Sequence, residues 1–484
     1  MKLRIQIVVE GDGHDAEVLQ EVAVLERGEL RPEDVGLTLA EAKELLHGVQ
    51  RVLVARQVAE ATAQQARCPA CGQPHRHKGA HTIVVRSLFG TLQLPSPRRF
   101  HCPCRPRTTR TFSPLAALLP ERTTPELRYL EAKFAGLVSY GLTAQLLDEV
   151  LPLGRTLHAT TVRNHVHAVA RRLEGELGDE QPSFVDGCQR DWDQLPRPAL
   201  PLTIGLDGGY VHSCEQTARR DGWFEVIAGK SVPADGGAKC FAFVQGHDVK
   251  PRRRLFDLPT AQGMQMNQQV TFLTDGGDTV RALPLYLNPL SEHLLDWFHI
   301  AMRLTVLGQY AKGLPPAAAT SSGTVGDNVG EEEPEASLTR CAVERLLASI
   351  KWYLWHGNAH HALPEIADLA WQTEAAARPL PAMQQLAKAA AEFQTYIENN
   401  TAFIPNYGER HRNDEAISSA IAESTVNQVI SKRMVKRQQM RWSPEGAHLL
   451  LQVRTRVLND DLRPTFLRWY PALAVPPDPE RLAA

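Results

Sequence analysis

Two short segments of the sequence each place an aspartate directly after a run of apolar, strand-forming residues. The first segment, residues 202–209, contains Asp207, and two glycines follow it. The second segment, residues 270–277, contains Asp275, again followed by two glycines. Aspartate is disfavoured in strands, and a buried carboxylate is costly without a cation or a hydrogen-bond donor beside it. The repeated pattern therefore predicts two buried strands that each deliver a carboxylate to the C-terminal end of the strand, with glycines leaving room close to the backbone.

Two carboxylates placed side by side would repel each other unless a cation lay between them. Mg²⁺ takes oxygen ligands and keeps several waters, so it is the cation that this pair of acids predicts. Asp278 is a rival to Asp275, but it lies beyond the glycine turn, and the strand register favours Asp275. Asp207 and Asp275 are therefore predicted to form a magnesium site.

A third acid, Glu423, lies within residues 418–437, where apolar residues recur at helical spacing. Glu423 falls one turn before Val426, and so near the buried face of this predicted helix. Three basic residues follow on the same helix: Arg433, Lys436 and Arg437. A carboxylate near the core and a basic end on one helix suit metal binding combined with DNA contact. The alternative is that Glu423 is a first-turn acid favoured by the helix dipole.

Cysteines with the spacing of metal ligands form two close pairs: Cys68 and Cys71, and Cys102 and Cys104. Two strand-like segments, residues 82–85 and 90–94, separate the pairs, as in a zinc ribbon. One histidine could replace a cysteine ligand: His75, His77, His81 or His101. Four protein ligands leave no open position for water, so the predicted Zn²⁺ has a structural role. The alternative is that the thiols bind no metal.

Two further patterns predict contact with nucleic acid. Arginines that would bind phosphates crowd beside the second cysteine pair: Arg98, Arg99, Arg105, Arg107 and Arg110. Residues 142–151 and 159–173 have the spacing of a helix-turn-helix, with a turn through Pro152 and Gly154. The outward face of its second helix would meet base edges or phosphates with Arg163, Asn164 and His167. The alternatives are a solvated basic rim and a helical hairpin that binds no DNA.

These residues need a scaffold, and the chain divides into segments that would supply one. In the N-terminal part, residues 1–66 are predicted to form a strand and a long packing or oligomerisation helix. Residues 67–112 form the predicted zinc ribbon, and residues 113–180 form the predicted helix-turn-helix region. In the rest of the chain, residues 201–312 are predicted to form the first part of the core, and residues 313–338 a disordered linker. Residues 339–405 are predicted to form an all-α insertion, and residues 406–484 the second part of the core and a C-terminal tail. The order of predicted elements from residue 201 is three meander strands, a helix, and then strands alternating with helices. This order predicts a ribonuclease-H-like core within a multidomain α/β protein.

Composition limits the classes of function. The 484-residue chain has a formal net charge of −2, so only its local basic patches indicate a nucleic-acid partner. No apolar run approaches the ~20 residues that cross a bilayer, so we expect no contact with membranes. The N-terminal segment is too short and too polar for a signal peptide, and the paired cysteines are spaced for metal rather than for disulfides. A cytoplasmic protein is therefore expected.

Taken together, these residues resemble the DDE transposases of bacterial insertion sequences, and most closely the ISKra-type family. Beyond the cysteine pairs, the resemblance is carried by residues 205–211, 273–276, 296–299, 422–426, 433–434 and 442–443. It spans the chain from about residue 68 to residue 455. It depends on the order and spacing of these segments rather than on any single motif.

The resemblance implies that Asp207, Asp275 and Glu423 together bind two Mg²⁺ ions, with a helical insertion between the second aspartate and the glutamate. Asp296 and His299 look like the Cys/Asp-x-x-His signature of Mutator-like and related transposases. In those proteins the histidine is thought to sit near the active site. The alternative for His299 is a hydrogen-bonded histidine of the core.

The resemblance also implies a reaction and partners. The expected reaction is Mg²⁺-dependent cleavage of DNA at the ends of an insertion sequence, followed by transfer of the freed 3′-hydroxyl into target DNA. Double-stranded DNA, as terminal inverted repeats and as target, would be the partner, and a homo-oligomer would pair two ends.

Three alternatives to a transposase stay open at this stage. They are a non-catalytic DNA-binding protein derived from a transposase, a ribonuclease-H-like nuclease that only cleaves, and a metal-dependent hydrolase of small molecules. The basic patches and the zinc ribbon weigh against the last of these.

Overall fold

The computed structural model divides the chain into two compact units, residues 1–174 with 456–484, and residues 175–455. The residues that it describes are 1–9, 18–104, 109–154, 156–196, 198, 201–215, 222–233, 237–281, 283, 287–314, 339–375, 381–418, 424–435 and 441–474. All but the first two residues of the predicted linker, 313–338, lie outside this described part.

The first unit begins with a two-stranded sheet and a long helix. β1 (Lys2–Val9) pairs antiparallel with β2 (Val18–Glu26), and after a 3₁₀ turn (Pro32–Asp34) α1 spans Leu39–Gln64. A capping box starts α1, because the Thr38 hydroxyl accepts a hydrogen bond from the Glu41 N–H and the Glu41 carboxylate accepts one from the Thr38 N–H. Gly48 of α1 lies against β2, which fixes the inner face of the helix.

A three-stranded antiparallel sheet follows in the first unit. It consists of β3 (His77–Ser87), β4 (Gly90–Phe100) and β5 (Thr111–Phe112), in that order. Alternate residues of β3 and β4 are buried, as expected for strands with one covered face. They pack with Val58 of α1 and with Leu115 of the short helix α2 (Pro114–Leu118).

Three helices complete this part of the chain: α3 (Pro125–Leu137), α4 (Tyr140–Val150) and α5 (Ala159–Glu176). The Ser139 hydroxyl caps α4 by accepting a hydrogen bond from the Leu142 N–H at 3.2 Å. The Asp148 carboxylate accepts a hydrogen bond from the Leu157 N–H at 2.9 Å, which fixes the connection from α4 to α5. The C-terminal helix (Leu462–Trp469), with a 3₁₀ turn after it (Pro471–Leu473), packs on α3.

The second unit is built on a five-stranded mixed sheet. Its strands are β6 (Leu202–His212), β7 (Trp223–Val232), β8 (Lys239–Val244), β9 (Val270–Thr274) and β10 (Ser291–Leu295). Their spatial order is β10-β9-β6-β7-β8. β6, β7 and β8 form an antiparallel meander, whereas β9 runs parallel to β6, and β10 runs parallel to β9.

Helices cover both faces of this sheet. On one face, Ile204, Phe243 and Phe272 form a core with Leu255 of α7 (Pro251–Ala261). Two short helices, α6 (Gln189–Asp193) and α8 (Asp278–Arg281), also belong to this unit. On the opposite face, a helix that is described from residue 424 onward runs as a π-helix over Asn427–Val435 and packs on β6 and β7. Beside it lies α14 (Pro444–Leu458), whose Arg454 donates a hydrogen bond to Val429 O at 2.8 Å.

A helical layer joins the edge of the sheet at β10. It comprises α9 (Trp297–Ala311), α10 (Arg340–Trp355), α11 (Ala359–Ala375) and α12 (Pro381–Asn400), followed by a 3₁₀ turn (Thr401–Phe403) and α13 (Tyr407–Arg412). Their shared core includes Leu304, Ile350, Ile366 and Phe393, all fully or almost fully buried. Of these helices, α10, α11 and α12 lie within residues 339–405, the range for which the sequence predicts an all-α insertion. None of the helices in the described part of the chain combines the length and apolar character that a membrane crossing requires.

Candidate active site

Asp207 lies inside β6 rather than at its end. The strand continues to His212, because β7 pairs with it along this whole stretch. Pairing with β9, in contrast, ends at Leu206 and Thr274. The prediction that the strand ends at Asp207 is therefore wrong. The opening beside Asp207 arises because the neighbouring strand β9 stops there.

Gly209 explains why glycines follow Asp207. A Cβ at Gly209 would lie 3.0 Å from Ile430 Cδ1 and 3.1 Å from Val426 Cγ1. The absent side chain lets the helix that contains Val426 and Ile430 pack directly on β6, two residues after Asp207. From the sequence, the glycines after Asp207 were expected to leave space close to the backbone. At Gly209 this space is occupied by Val426 and Ile430 of the packed helix.

Asp275 directly follows β9 and begins a tight turn. Its Oδ1 accepts a hydrogen bond from the Gly277 N–H at 2.9 Å. Gly276 has a φ of +81°, and a Cβ there would lie 2.4 Å from Asn400 Oδ1, so both conformation and space require glycine. Because Leu206 and Thr274 are partners on adjacent parallel strands, Asp207 and Asp275 occupy neighbouring positions at the same edge of the sheet.

The Asp207 carboxylate is buried, with 8% of the residue exposed. Its Oδ1 accepts a hydrogen bond from the Gly208 N–H at 2.8 Å. Burial raises the pKa of the Asp207 carboxyl to about 6, His299 opposes this rise, and the charge of Asp275 adds to it. A carboxylate that is both desolvated and beside a second acid is stabilised in its charged form by a cation.

Asp296 and His299 connect the start of α9 to the end of β9. Asp296 is fully buried, caps α9 by accepting a hydrogen bond from the Phe298 N–H at 2.9 Å, and donates its own N–H to Thr274 O at 2.9 Å. His299, one turn later, has its Nε2 3.8 Å from Asp296 Oδ2. Since His299 also acts electrostatically on Asp207, the structure brings this histidine and both aspartates of the predicted site together.

Sequence reasoning missed two residues that hold the Asp275 turn. The Tyr396 hydroxyl donates a hydrogen bond to Asp275 O at 2.9 Å, and burial raises the pKa of this tyrosine. The Arg303 guanidinium carbon lies 4.1 Å from the centroid of the Tyr396 ring. Arg303 follows His299 by four residues on α9, a spacing that places both on one helix face and could have pointed to it. Tyr396 comes from α12, far along the chain, and no local signal announces it.

Glu225 of β7 is a further carboxylate that the sequence analysis did not single out. It accepts a hydrogen bond from the Thr279 hydroxyl at 3.2 Å, and its Oε1 lies 2.9 Å from where a Gly208 Cβ would be. Burial raises the pKa of Glu225, the Thr279 hydrogen bond lowers it, and the charge of Asp275 raises it further. An acid within the mostly apolar first half of β7 was the available signal.

Three predicted residues, Glu423, Lys436 and Arg437, lie outside the described part of the chain. Arg433 is described, and it is 1% exposed, with its guanidinium carbon 5.4 Å from the centroid of the Trp442 ring. It is therefore not available to a phosphate on the surface, and its prediction as a DNA contact is corrected. Arg433 follows Val429 by four residues and Ile430 by three, so helical spacing places it on the same buried face as these two residues.

The four paired cysteines of the first unit converge, and their Sγ atoms all lie within 4.8 Å of one another, so the group could hold a metal ion. Cys68 Sγ is 3.5 Å from Cys104 Sγ, and Cys71 Sγ is 3.4 Å from Cys102 Sγ. The backbone N–H groups of Ala70 and Cys71 hold the pKa of Cys68 at about 6, whereas the neighbouring thiols raise the pKa of Cys104 to about 12. Such crowded thiols repel on ionisation unless a cation joins them, which fits a Zn²⁺ site.

Histidines near the cysteines are engaged elsewhere. His75 hydrogen-bonds Phe100 O through Nδ1 at 3.1 Å, and the His101 ring stacks on Phe112 with centroids 4.6 Å apart. The region around the cysteines is strongly basic, because no Asp or Glu occurs between Glu60 and Glu121. This run without acids is a signal for an anionic partner that the sequence analysis overlooked.

The second helix of the predicted helix-turn-helix presents only part of its expected face. Arg163 and Asn164 are exposed on α5, whereas His167 is half-buried. Between them, His165 pairs through Nδ1 with the fully buried Glu131 of α3. Of the three residues predicted to contact DNA, this helix therefore fully exposes two, Arg163 and Asn164. Arg105 and Arg107 of the neighbouring basic cluster lie outside the described residues.

Comparison with known proteins gives little to add to this geometry. No protein-family model matches the sequence, and no curated protein matches it. One similar solved structure is the Drosophila P element transposase strand transfer complex, at 10% sequence identity, covering 72% of this chain and 81% of that chain with a TM-score of 0.23. At this TM-score the similarity does not establish a shared fold.

Proposed function

We propose that the chain is a DDE transposase that cleaves DNA at the ends of an insertion sequence and joins the freed ends to target DNA in the presence of Mg²⁺. The observation that carries the proposal is the placement of Asp207 and Asp275 at neighbouring positions of one sheet edge, beside His299. The strand order supports it as well. A ribonuclease-H-like core is expected to contain an antiparallel meander, with two parallel strands added beside the first strand of that meander. The sheet of the second unit has this order.

The side chains at this edge suit magnesium. Asp207 and Asp275 would hold it, and Glu423, three residues before Val426 in the sequence, is proposed as the third ligand. Bound Mg²⁺ would supply activation of the attacking water and stabilisation of the leaving 3′-oxygen. In each aspartate, a backbone N–H of the adjoining glycines fixes one carboxylate oxygen and so orients the other.

The remaining groups at the edge are proposed to act on the phosphodiester. His299 is placed to hold a proton near a phosphate oxygen, and Arg303 on the same helix face would offset the negative charge of the DNA. Tyr396 contributes through its hydroxyl group. It positions Asp275 by holding the backbone of the turn.

DNA recognition is proposed to lie in the first unit. The basic surface around the Cys68 cluster, with a structural Zn²⁺ inside it, would bind phosphates of the terminal inverted repeats. Arg163 and Asn164 on α5 would add contacts to base edges or phosphates. Lys436 and Arg437 remain proposed phosphate contacts. A homo-oligomer that pairs two ends, in the cytoplasm, completes the proposal.

Cleavage and strand transfer test this function directly. Wild-type protein, Asp207→Asn, Asp275→Asn and the matched control Asp278→Asn would each be incubated with Mg²⁺ and a duplex carrying the flanking end of the element. Asp278 is an exposed acid three residues after Asp275, so it controls for loss of a nearby charge. The wild type and Asp278→Asn should cleave and join, whereas the other two should lose at least about 100-fold in rate while binding the duplex equally well.

Each other outcome selects a different function. Cleavage without joining would identify a nuclease that only cuts. Binding without cleavage by the wild type would identify a DNA-binding protein. Cleavage by Asp207→Asn at the wild-type rate would remove the acids from the chemistry and refute the proposal.

A further inference from the structure

A cavity of about 330 Å³ lies beside the cysteine cluster of the first unit. Three stretches of chain surround it: the C-terminal end of α1, the turn that carries Cys68, and β5 with the residues shortly before it. The volume is at the lower end of the roughly 300–1,000 Å³ found for small-ligand sites, so the occupant must be small. Six side chains give the cavity its chemical character: Gln64, Gln65, Arg67, His75, His101 and Phe112.

Three of these side chains are rings that already contact one another. The His101 ring stacks on Phe112, with centroids 4.6 Å apart and 23° between the planes. His75 meets the same Phe112 ring edge-on, with centroids 5.0 Å apart. Because each ring is held by a neighbour, little side-chain freedom is lost when a further flat ring packs against them. The cavity is therefore suited to a planar aromatic ligand.

The polar groups of the cavity suit the edge of a nucleobase. His75 Nδ1 donates a hydrogen bond to Phe100 O at 3.1 Å, since a carbonyl oxygen can only accept. Nε2 of the neutral His75 ring is therefore an acceptor. The amides of Gln64 and Gln65 each offer donors and acceptors. A base edge presents the same mixture of donors and acceptors, so the cavity can hydrogen-bond a base as well as stack on it.

The charge around the cavity favours an anionic ligand. Arg67 is exposed at the cavity, and its Nη1 donates a hydrogen bond to Gly72 O at 3.3 Å. The guanidinium has further N–H groups suited to a phosphate. The surrounding sequence has no acid between Glu60 and Glu121. A ligand that joins a flat heteroaromatic ring to a phosphate matches both the rings and the charge of this site.

We propose that this cavity binds one unpaired nucleobase of a DNA strand, with the adjoining phosphate held by Arg67. Inside a duplex both faces of a base are covered and its edge is paired, so a base enters such a cavity only from a single-stranded end or after it has been unstacked. The inference rests on the proposed function in taking DNA as the partner. It adds a contact to a base where that function assigns the Cys68 region contacts to phosphates.

Binding of the zinc-loaded full chain to two duplexes tests the inference. One duplex is blunt, and the other carries a short single-stranded overhang that contains 2-aminopurine, a fluorescent base whose emission falls when it stacks. Without Mg²⁺, the wild type should bind the overhang duplex roughly tenfold more tightly than the blunt one, as expected for one stacked base. It should also lower the emission of the overhang base at least about twofold.

Variants of the cavity should remove this preference. Phe112→Leu keeps an apolar side chain but loses the ring, so it should abolish both the preference and the loss of emission. Arg67→Ala, at an exposed side chain, should reduce the preference at least about threefold. The matched control Arg76→Ala removes an exposed charge outside the cavity, so it should weaken binding to both duplexes alike and keep the preference. An unchanged Zn²⁺ content would verify that each variant is folded.

Equal binding of both duplexes by the wild type overturns the inference, and so does a preference that Phe112→Leu retains. Free deoxyadenosine monophosphate distinguishes a strand from a nucleotide. If it restores the emission at concentrations near that of the DNA, the cavity binds a free nucleotide and the assignment to a DNA strand is wrong. Because the assay reads no cleavage, Asp207→Asn should bind as the wild type does. A chain that prefers the overhang but never cuts DNA would refute the proposed function and leave this inference standing.

Discussion

Asp207→Asn should stabilise the metal-free protein at neutral pH although it removes a proposed metal ligand. Burial raises the pKa of Asp207 from 3.8 to about 6. Because the folded pKa lies above the unfolded one, the folded chain binds the proton more tightly, and ionisation of Asp207 destabilises the fold. This penalty is absent below pH 3.8, grows between 3.8 and 6, and is complete above pH 6. It amounts to about 3 kcal/mol, at 1.36 kcal/mol for each pK unit.

Urea unfolding of the wild type and the Asp207→Asn variant, in chelator and at several pH values, measures this difference. The variant should exceed the wild type by about 3 kcal/mol at pH 8 and by roughly 0.5 kcal/mol at pH 4. Asparagine keeps an oxygen that can accept the Gly208 N–H bond, so the change mainly removes the charge. Asp278→Asn, at an exposed acid, should leave the free energy of unfolding nearly unchanged at both pH values.

Magnesium should reverse the order of stability. A cation that binds only the folded wild type stabilises it by mass action, and Asp207→Asn should respond much less. If Asp207→Asn were no more stable than the wild type at pH 8 in chelator, the electrostatic account of this site would be wrong. If Mg²⁺ stabilised both proteins equally, the metal would bind elsewhere.

Three further changes test other parts of the structure. Gly276→Ala should cost at least about 2 kcal/mol more in urea unfolding than Gly263→Ala, because both have positive φ but only the former meets a side chain, at 2.4 Å. An equal cost would contradict the close packing at Gly276. Elemental mass spectrometry should find one Zn²⁺ per chain in the wild type and in Cys341→Ser, and none in Cys71→Ser. Arg163→Ala should weaken duplex binding and reduce the slope of log affinity against log salt by about one, and an unchanged slope would exclude a phosphate contact.

Local patterns in the sequence were sufficient to find the acids and their strands. The run of apolar β-formers before Asp207 and Asp275 predicted two buried strands, and the structure places those strands side by side. The length of each strand could not be predicted from this pattern, because a strand extends as far as its neighbouring strand in the sheet pairs with it. β6 continues beyond Asp207 because β7, the next strand along the chain, still pairs with it as far as His212.

Contacts between distant parts of the chain could not be predicted from the sequence. Tyr396 reaches Asp275 across 121 residues, and nothing in the helical pattern of α12 distinguishes it from a core tyrosine. The prediction for Arg433 was wrong for another reason, since its spacing from Val429 and Ile430 already places it on the buried face of the helix and was not taken into account. The cysteine cluster, by contrast, was predictable, because metal-ligand spacing within each pair is a local property.

The hydrogen bond from Tyr396 to the Asp275 turn has a consequence for protein synthesis. The ribosome makes Asp275 long before Tyr396, and the donor emerges 121 residues later in sequence. Until α12 has been made and has folded, the turn lacks both this bond and the packing of Asn400 over Gly276. A nascent or prematurely terminated chain therefore carries the acids without the support that orders them. Under the proposed function, the site would become competent to cut DNA only after α12 has been made and has folded.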